Sequence, residues 1–291
     1  MSDTPVVAVT GANGYVGSII CRALTSHAHI IPLVRVPRRP GEEAWSFGAS
    51  EDMVAGLLSR NGVTHIVHAA WDMKRSDLTH LKQTCVAGTE RLVVAARMLG
   101  ISNFILISSM SAFSGTRSAY GQSKLLAEQG VFDGGGTVLR LGLVWGDSPG
   151  GVFGSLSTFA SRLPIVPIIV GGAGMQFLLH ERSLTTAIIR AVQGDFAGEQ
   201  RAITLAHPMP IALSKLLRAL VAAKGRRAIF VPVPWHAPYL VLRCAERLHV
   251  PLKLRSDNLL GFIYQDTQPD FTPLAKYRID MEPFPPGADL G

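Results

Sequence analysis

From Val6 to Val144 the chain alternates short, β-branched apolar runs with helix-patterned stretches. VVAVT (6–10) precedes a helical stretch at 17–25, HIIPLV (29–34) one at 53–60, and HIVHAA (65–70) a long one at 77–99 stopped by Gly100. FILISS (104–109), a helical stretch at 118–129 and TVLRLGLV (137–144) complete the series. Two-sided apolar strands joined by helices cannot stay half exposed, so the pattern predicts an α/β protein with a parallel sheet covered on both faces. After Gly146 glycine and proline become frequent, and helical patterns recur at 184–192, 211–223 and 238–248. We expect a first domain over 1–146 and a smaller lobe over 147–291, with some of its segments returning to the first domain.

Between the first strand and the first helix lies TGANGYVG, with Gly11, Gly14 and Gly17 at intervals of three. In a strand-turn-helix unit such glycines permit the tight turn, let backbone approach a pyrophosphate, and bring helix close to strand. The phosphate then rests on the unpaired N–H groups of the helix N-terminus. Gly11, Asn13, Gly14, Tyr15, Val16 and Gly17 are therefore expected to hold a dinucleotide, and the fold to be a doubly wound, Rossmann-type sheet.

The chain has 28 Lys and Arg against 21 Asp and Glu, a net charge of +7 that suits anionic small molecules. Cys21, Cys85 and Cys244 are too scattered for a disulfide framework or a metal knuckle, which fits a reducing, cytoplasmic setting. The nine histidines show no zinc-like spacing, so no metal site is expected. Two long uncharged runs, 5–21 and 163–179, contain the glycine fingerprint and a set of prolines and glycines respectively, so no integral membrane segment is expected. No nucleic-acid-binding module is recognisable. The stretch 235–255 mixes aromatic, aliphatic and basic residues, and reads as a lobe helix with arginine and lysine on its outer face, or as a membrane-surface contact.

The spacing GxxGxxG, followed by HAAW (68–71), SSMSAF (108–113), YGQSK (120–124) and LRLGLVWG (139–146), resembles the extended short-chain dehydrogenases/reductases of the epimerase/dehydratase family. These segments span most of the first half, whereas the second half resembles the family only loosely. The resemblance implies that His68, Ala69 and Ala70 border the cofactor, with His68 packed beneath it. It further implies that Tyr120 is the acid/base, that Lys124 binds the nicotinamide ribose, and that a serine holds the substrate oxygen. Ser109 keeps the strand-end position and is preferred, with Ser111 as the alternative; Ser108 is expected to bond backbone.

Tyr120 and Lys124, four residues apart, share a helix face, and an ammonium beside the phenol is expected to lower its pKa toward working pH. At the tip of the second strand, where an NAD site carries an acid, the sequence reads VRVPRR. Arg35, Arg38 and Arg39 offer guanidinium groups to a 2'-phosphate with no carboxylate expected to compete, so NADP is favoured and NAD is the alternative. The family commonly has asparagine where this chain has Cys85 and, near the substrate diphosphate, where it has Gly142; an aspartate that often touches adenine is missing from GAS (48–50).

The family's usual substrates imply a nucleotide-sugar 4-epimerase or 4-keto reductase, with Tyr120, Lys124 and Ser109 as catalytic residues. A dehydratase is disfavoured because Met110 and Ser111 occupy the places of its acid pair. The alternatives are a ketone reductase on a sterol-like or phenolic substrate and a non-catalytic NADP-binding regulator. The substrate is expected to be lined by 152–163 and 180–184, and a homodimer is compatible with these readings.

Overall fold

The computed structural model describes residues 4–72, 77–147, 150–170, 174–250 and 254–285; Gly171 and Gly172 of the second uncharged run, and 251–253 of the aromatic-basic stretch, lie outside them. The first half runs β1 (Val6–Thr10), α1 (Tyr15–Leu24), β2 (His29–Val34), β3 (Glu43–Ala44), α2 (Glu51–Arg60) and β4 (His65–His68). It continues through α3 (Leu78–Leu81), a π-helical turn (Lys82–Val86), α4 (Ala87–Met98), β5 (Asn103–Ser109), α5 (Ala119–Asp133), β6 (Thr137–Leu141) and β7 (Leu143–Trp145). The second half contains α6 (Gly151–Arg162), β8 (Ile165–Val170), β9 (Met175–Gln176), β10 (Leu178–His180), α7 (Glu181–Val192), β11 (Ile203–Leu205), β12 (Ile211–Ala212) and α8 (Leu213–Ala222). It ends with β13 (Ile229–Pro234), α9 (His236–Arg247), α10 (Ser256–Ile263) and α11 (Thr272–Lys276).

Seven strands form one sheet in the order β11-β6-β5-β4-β1-β2-β3, all pairs parallel. Successive side chains serve opposite faces: Val7 and Val9 pack on the layer of α1 and α7, and Ala8 on the layer of α2 and α4. The chain travels outward from β1 to β3 and then returns to lay β4 on the other side of β1. That reversal opens a crevice at the carboxyl ends of the strands, where a doubly wound sheet binds its ligand.

The expected single run 137–144 divides at Gly142. The Gly142 amide donates to Leu205 O in the main sheet at 2.9 Å, and the next amide, Leu143, donates to Phe177 O at 2.8 Å. β7 therefore leaves the sheet and pairs with β10. A side chain at 142 would come within 2.6 Å of Phe177 O and 2.8 Å of the Ala206 side chain. The asparagine expected there by resemblance has no room. Residues 211 and 212, read as helical, form β12 against β9. β11, from the second half, closes the main sheet beside β6. In the second half Phe153, Leu156, Val166, Leu216 and Phe262 pack into a hydrophobic cluster of their own.

The turn that starts α1 leaves no latitude at Gly17, where an added Cβ would lie 2.7 Å from the Gly11 carbonyl carbon. Gly56, exposed inside α2, has no heavy atom within 4 Å of such a Cβ. Gly17→Ala should cost about 3 kcal/mol or more, and Gly56→Ala should stabilise by up to about 1 kcal/mol. Urea unfolding of the two variants against wild type checks the contrast.

Candidate active site

Gly11 adopts φ +68°, and its amide donates to Leu33 O at 3.1 Å, so the chain turns sharply off β1. The Gly14 amide returns to Gly11 O at 2.8 Å, and α1 starts with no side-chain cap. Its first amides are left facing the crevice, which suits an anionic group. A Cβ at Gly11 would stand 2.8 Å from Ala70 Cα, so the turn fits against the segment after β4 with nothing to spare.

That segment is fixed from behind by a buried hydrogen-bond chain. The Ala69 and Ala70 amides both donate to Thr10 Oγ1 at 3.1 Å, Thr10 Oγ1 meets His68 Nδ1 at 2.7 Å, and His68 Nε2 meets Thr89 Oγ1 at 2.9 Å. Thr89 spends its proton on Cys85 O at 2.7 Å, so it accepts from His68 Nε2–H, and Nδ1 accepts from Thr10. Burial holds His68 neutral, with its pKa pushed down to about 3. His68, expected to pack beneath the cofactor, is fully buried outside the cavity lining, and it positions Ala69 and Ala70, which do line it.

One cavity of about 1290 Å³ runs along the carboxyl ends of the strands. It gathers Gly11, Asn13, Gly14, Tyr15, Val16 and Gly17 with Arg35, Arg38, Ser109, Ser111, Tyr120 and Lys124. The expectation that no carboxylate competes near the arginines is also corrected. Glu42 accepts from the Arg38 and Arg39 amides at 2.6 and 3.2 Å and from Asn13 Nδ2 at 3.2 Å. These donors, the Arg38 amide foremost, hold its carboxyl below the usual range. Glu42 lies seven residues beyond Arg35 and was invisible to a search of the strand tip.

At the other end, Ser109 and Tyr120 share a side-chain hydrogen bond, and Ser109 Oγ also accepts from the Ser111 amide at 3.1 Å. Ser108 points to the opposite face, where its hydroxyl donates to Glu128 Oε1 at 2.5 Å rather than to backbone. Glu128 is buried and paired with Arg140 at 2.6 Å. Lys124 shares the Tyr120 face of α5 but does not act on the phenol as expected. Its Nζ donates to Ile107 O at 2.7 Å and sits 3.8 Å from the centre of the Trp71 ring, against 5.9 Å for Tyr120. Burial pushes the Lys124 amine down to about 7 and the Tyr120 phenol up to about 12. For Tyr120 desolvation outweighs the opposing Ser109 hydrogen bond, and the phenol remains protonated at neutral pH.

Three groups escaped sequence reasoning. Trp71 supplies the face against Lys124 and meets Tyr120 edge-on at 6.4 Å. Asp257, from α10, accepts from the Ala119 and Tyr120 amides at 2.8 and 3.2 Å and lines the cavity. Gln176, Phe177 and Phe262 line it as well. Of the expected lining, Val152 and Phe153 are present and 180–184 are not; His180 and Glu181 are turned toward the start of α7 and Tyr15. Cys85 is buried, its sulfur accepting from the Asp72 amide at 3.2 Å.

Fold and cavity define a Rossmann-type dinucleotide-binding protein with serine, tyrosine and lysine at the mouth of its sheet. Residues 7–134 match the model of the NAD dependent epimerase/dehydratase family. A "Ceramide reductase" of Caulobacter vibrioides (strain NA1000 / CB15N) is 29% identical over 174 residues, 56% of this chain and 54% of that protein. The match thus spans about half the length of this curated relative. Among solved structures, dTDP-4-dehydrorhamnose reductase from Bacillus anthracis in complex with NADP has a TM-score of 0.68 at 14% identity, covering 89% of this chain and 98% of that one. UDP-N-acetylglucosamine 4-epimerase from Bacillus cereus has a TM-score of 0.65 at 15% identity, covering 89% and 95%. The glycine turn, with no space for a Cβ and with free helix amides, fits a nicotinamide dinucleotide.

The Lys124 shift has a thermodynamic consequence. With its pKa at about 7 folded and 10.5 ordinarily, the unfolded chain binds more protons between those values, so stability rises with pH there. Wild type should gain on Lys124→Met between about pH 7 and 10.5, the difference being flat below 7, as thermal unfolding across pH will read.

Proposed function

We propose that the chain is an NADP-dependent ketone reductase acting on a largely apolar substrate. The observation that carries this reading is the division of the cavity. Among the described residues its arginines, Arg35, Arg38 and Arg39, all stand after β2, where a 2'-phosphate would lie. The far end is lined by Met110, Val152, Phe153, Phe177 and Phe262 beside the polar Asp257, Asn258 and Gln265, and among the described residues Lys124 is the only lysine or arginine there. Gln176 is already engaged with Phe262 O and Gln265. Among the described residues a substrate diphosphate would find no guanidinium partner at that end, whereas an alkyl or aryl body would find packing. The name of the Caulobacter relative, a reductase of a lipid, is consistent with it.

The bound cofactor would supply the hydride. Ser109 would donate to the substrate oxygen and set its position beside Tyr120. Tyr120, protonated because burial raises its pKa, would deliver its hydroxyl proton to that oxygen as charge develops on it. Lys124 would hold the ribose from the cavity wall. Asp257, fixed on the Ala119 and Tyr120 amides, would keep the start of α5 in register with Ser109. A nucleotide-sugar 4-epimerase or 4-keto reductase is the second reading, favoured by what the two similar solved structures are, a UDP-N-acetylglucosamine 4-epimerase and a dTDP-4-dehydrorhamnose reductase.

Tyr120→Phe should lower kcat for NADPH-dependent ketone reduction by about 10²–10⁴-fold with NADPH binding retained; an unchanged rate would remove Tyr120 from the proton transfer, and no reduction by wild type that still binds NADPH would mean a regulator without turnover. Arg38→Ala should raise the KM for NADPH about tenfold, from about 1.5 kcal/mol of lost charge-assisted bonding, and leave that for NADH in place. Assay with long-chain ketones against nucleotide 4-keto sugars separates the two substrate classes.

A further inference from the structure

Helix α9 contains twelve residues, none buried. Its outer side carries Ala237, Leu240, Val241, Cys244 and Leu248 at intervals of three and four, one continuous helical face. Leu240, Val241 and Leu248 are 61%, 66% and 76% exposed. The inner side holds Tyr239 and Leu242, and Trp235 meets Tyr239 and Tyr264 edge-on at 5.8 Å each at the start of the helix. α9 packs on β13, whose Ile229 and Val231 are also exposed, as is Ile165 on the paired β8. An apolar face of this extent is costly in water and marks a contact.

The charges on this face select the occupant. Between 224 and 250 there are five basic residues, Lys224, Arg226, Arg227, Arg243 and Arg247, against one acid, a net +4 of the chain's +7. All five cations are exposed. The acid, Glu246, is turned inward: it accepts from the Ser256 amide at 2.8 Å and from Ser256 Oγ at 2.9 Å. Arg247 therefore borders the apolar stripe with no carboxylate among the described residues of the helix's outer side, while Arg243, exposed at the Tyr239 edge of the helix, also lines a second cavity with Asp77 and Asp257. Pairing of two copies through α9 would bring arginines toward arginines. An anionic bilayer answers both features, taking the aliphatic side chains into the headgroup boundary and the guanidiniums onto lipid phosphates.

We propose that α9, with the edge of β13, docks the protein on the surface of an anionic phospholipid bilayer as an in-plane helix. No helix among the described residues is long and apolar enough to cross a membrane, so the contact is peripheral. The inference goes beyond the catalytic reading and does not rest on it, since the test reads partition without turnover.

The full chain is sedimented with vesicles of phosphatidylcholine alone and with about 30% phosphatidylglycerol, at about 0.1 M and about 0.5 M salt. The same vesicles are offered to Leu240→Asp/Val241→Asp and to Arg243→Glu/Arg247→Glu, with the elution volume of each protein followed in parallel. We expect binding to the anionic vesicles that weakens in high salt, and a loss of tenfold or more in partition in each double variant; arginine contributes about fivefold per residue at such a surface. NADPH binding should persist in both variants, because neither pair lines the cavity. No sedimentation with any vesicle would overturn the proposal. So would equal partition of wild type and variants, or a wild-type dimer that the aspartates convert to monomer while vesicle binding stays as it was.

Discussion

At Gly17 helix α1 meets the turn off β1 with no space for one more carbon, and the rest of the site is arranged around that contact. Close approach points the free amides at the start of α1 across the carboxyl ends of the strands. It also presses Gly11 against Ala70, so the loop after β4 must be held equally firmly. The chain from Thr10 through His68 and Thr89 to Cys85 O does this with fully paired groups. A neutral imidazole is suited to the task, since it donates from one nitrogen and accepts at the other, and a buried charge would be costly.

The catalytic end is governed by dehydration more than by charge attraction. A buried amine and a phenol in the same wall are both pushed toward their neutral forms, and their nearest partners are a carbonyl, an indole face and a hydroxyl. β5 separates its two terminal serines by the alternation of a strand. Ser108 is tied to the Glu128–Arg140 pair on one face, and Ser109 is left for the cavity on the other. The ion pair is thus a device for orientation, consistent with the small net worth of many buried pairs.

Much of the first half was legible because its signals are local. Short apolar runs, glycines at fixed intervals and a Tyr-x-x-x-Lys pair each specify backbone within a few residues, and β1, β2, β5 and α5 fall where these signals lie. The illegible parts depend on distant partners. Glu42 enters the arginine loop through backbone amides, Asp257 reaches Tyr120 from 137 positions away, and His68 turns to Thr10 and Thr89 instead of the crevice. The break at Gly142 arises from the arrival of Phe177 and Ala206, which no window of sequence around 142 contains. The direction of the pKa shift at Tyr120 was misjudged for the same reason: spacing gives the neighbour but not the burial.

The π-helical turn at Lys82–Val86 carries one residue more per turn than its flanks, and each additional residue rotates the downstream helix by about 100°. This places Cys85 so that its sulfur receives the Asp72 amide while its carbonyl receives the Thr89 hydroxyl. A single residue thereby suspends the loop carrying Trp71 and terminates the relay behind Ala69 and Ala70. The widened turn acts as a hanger whose two hooks support opposite walls of one chamber, and their separation is set by the helix's pitch, with little left to the side chain itself.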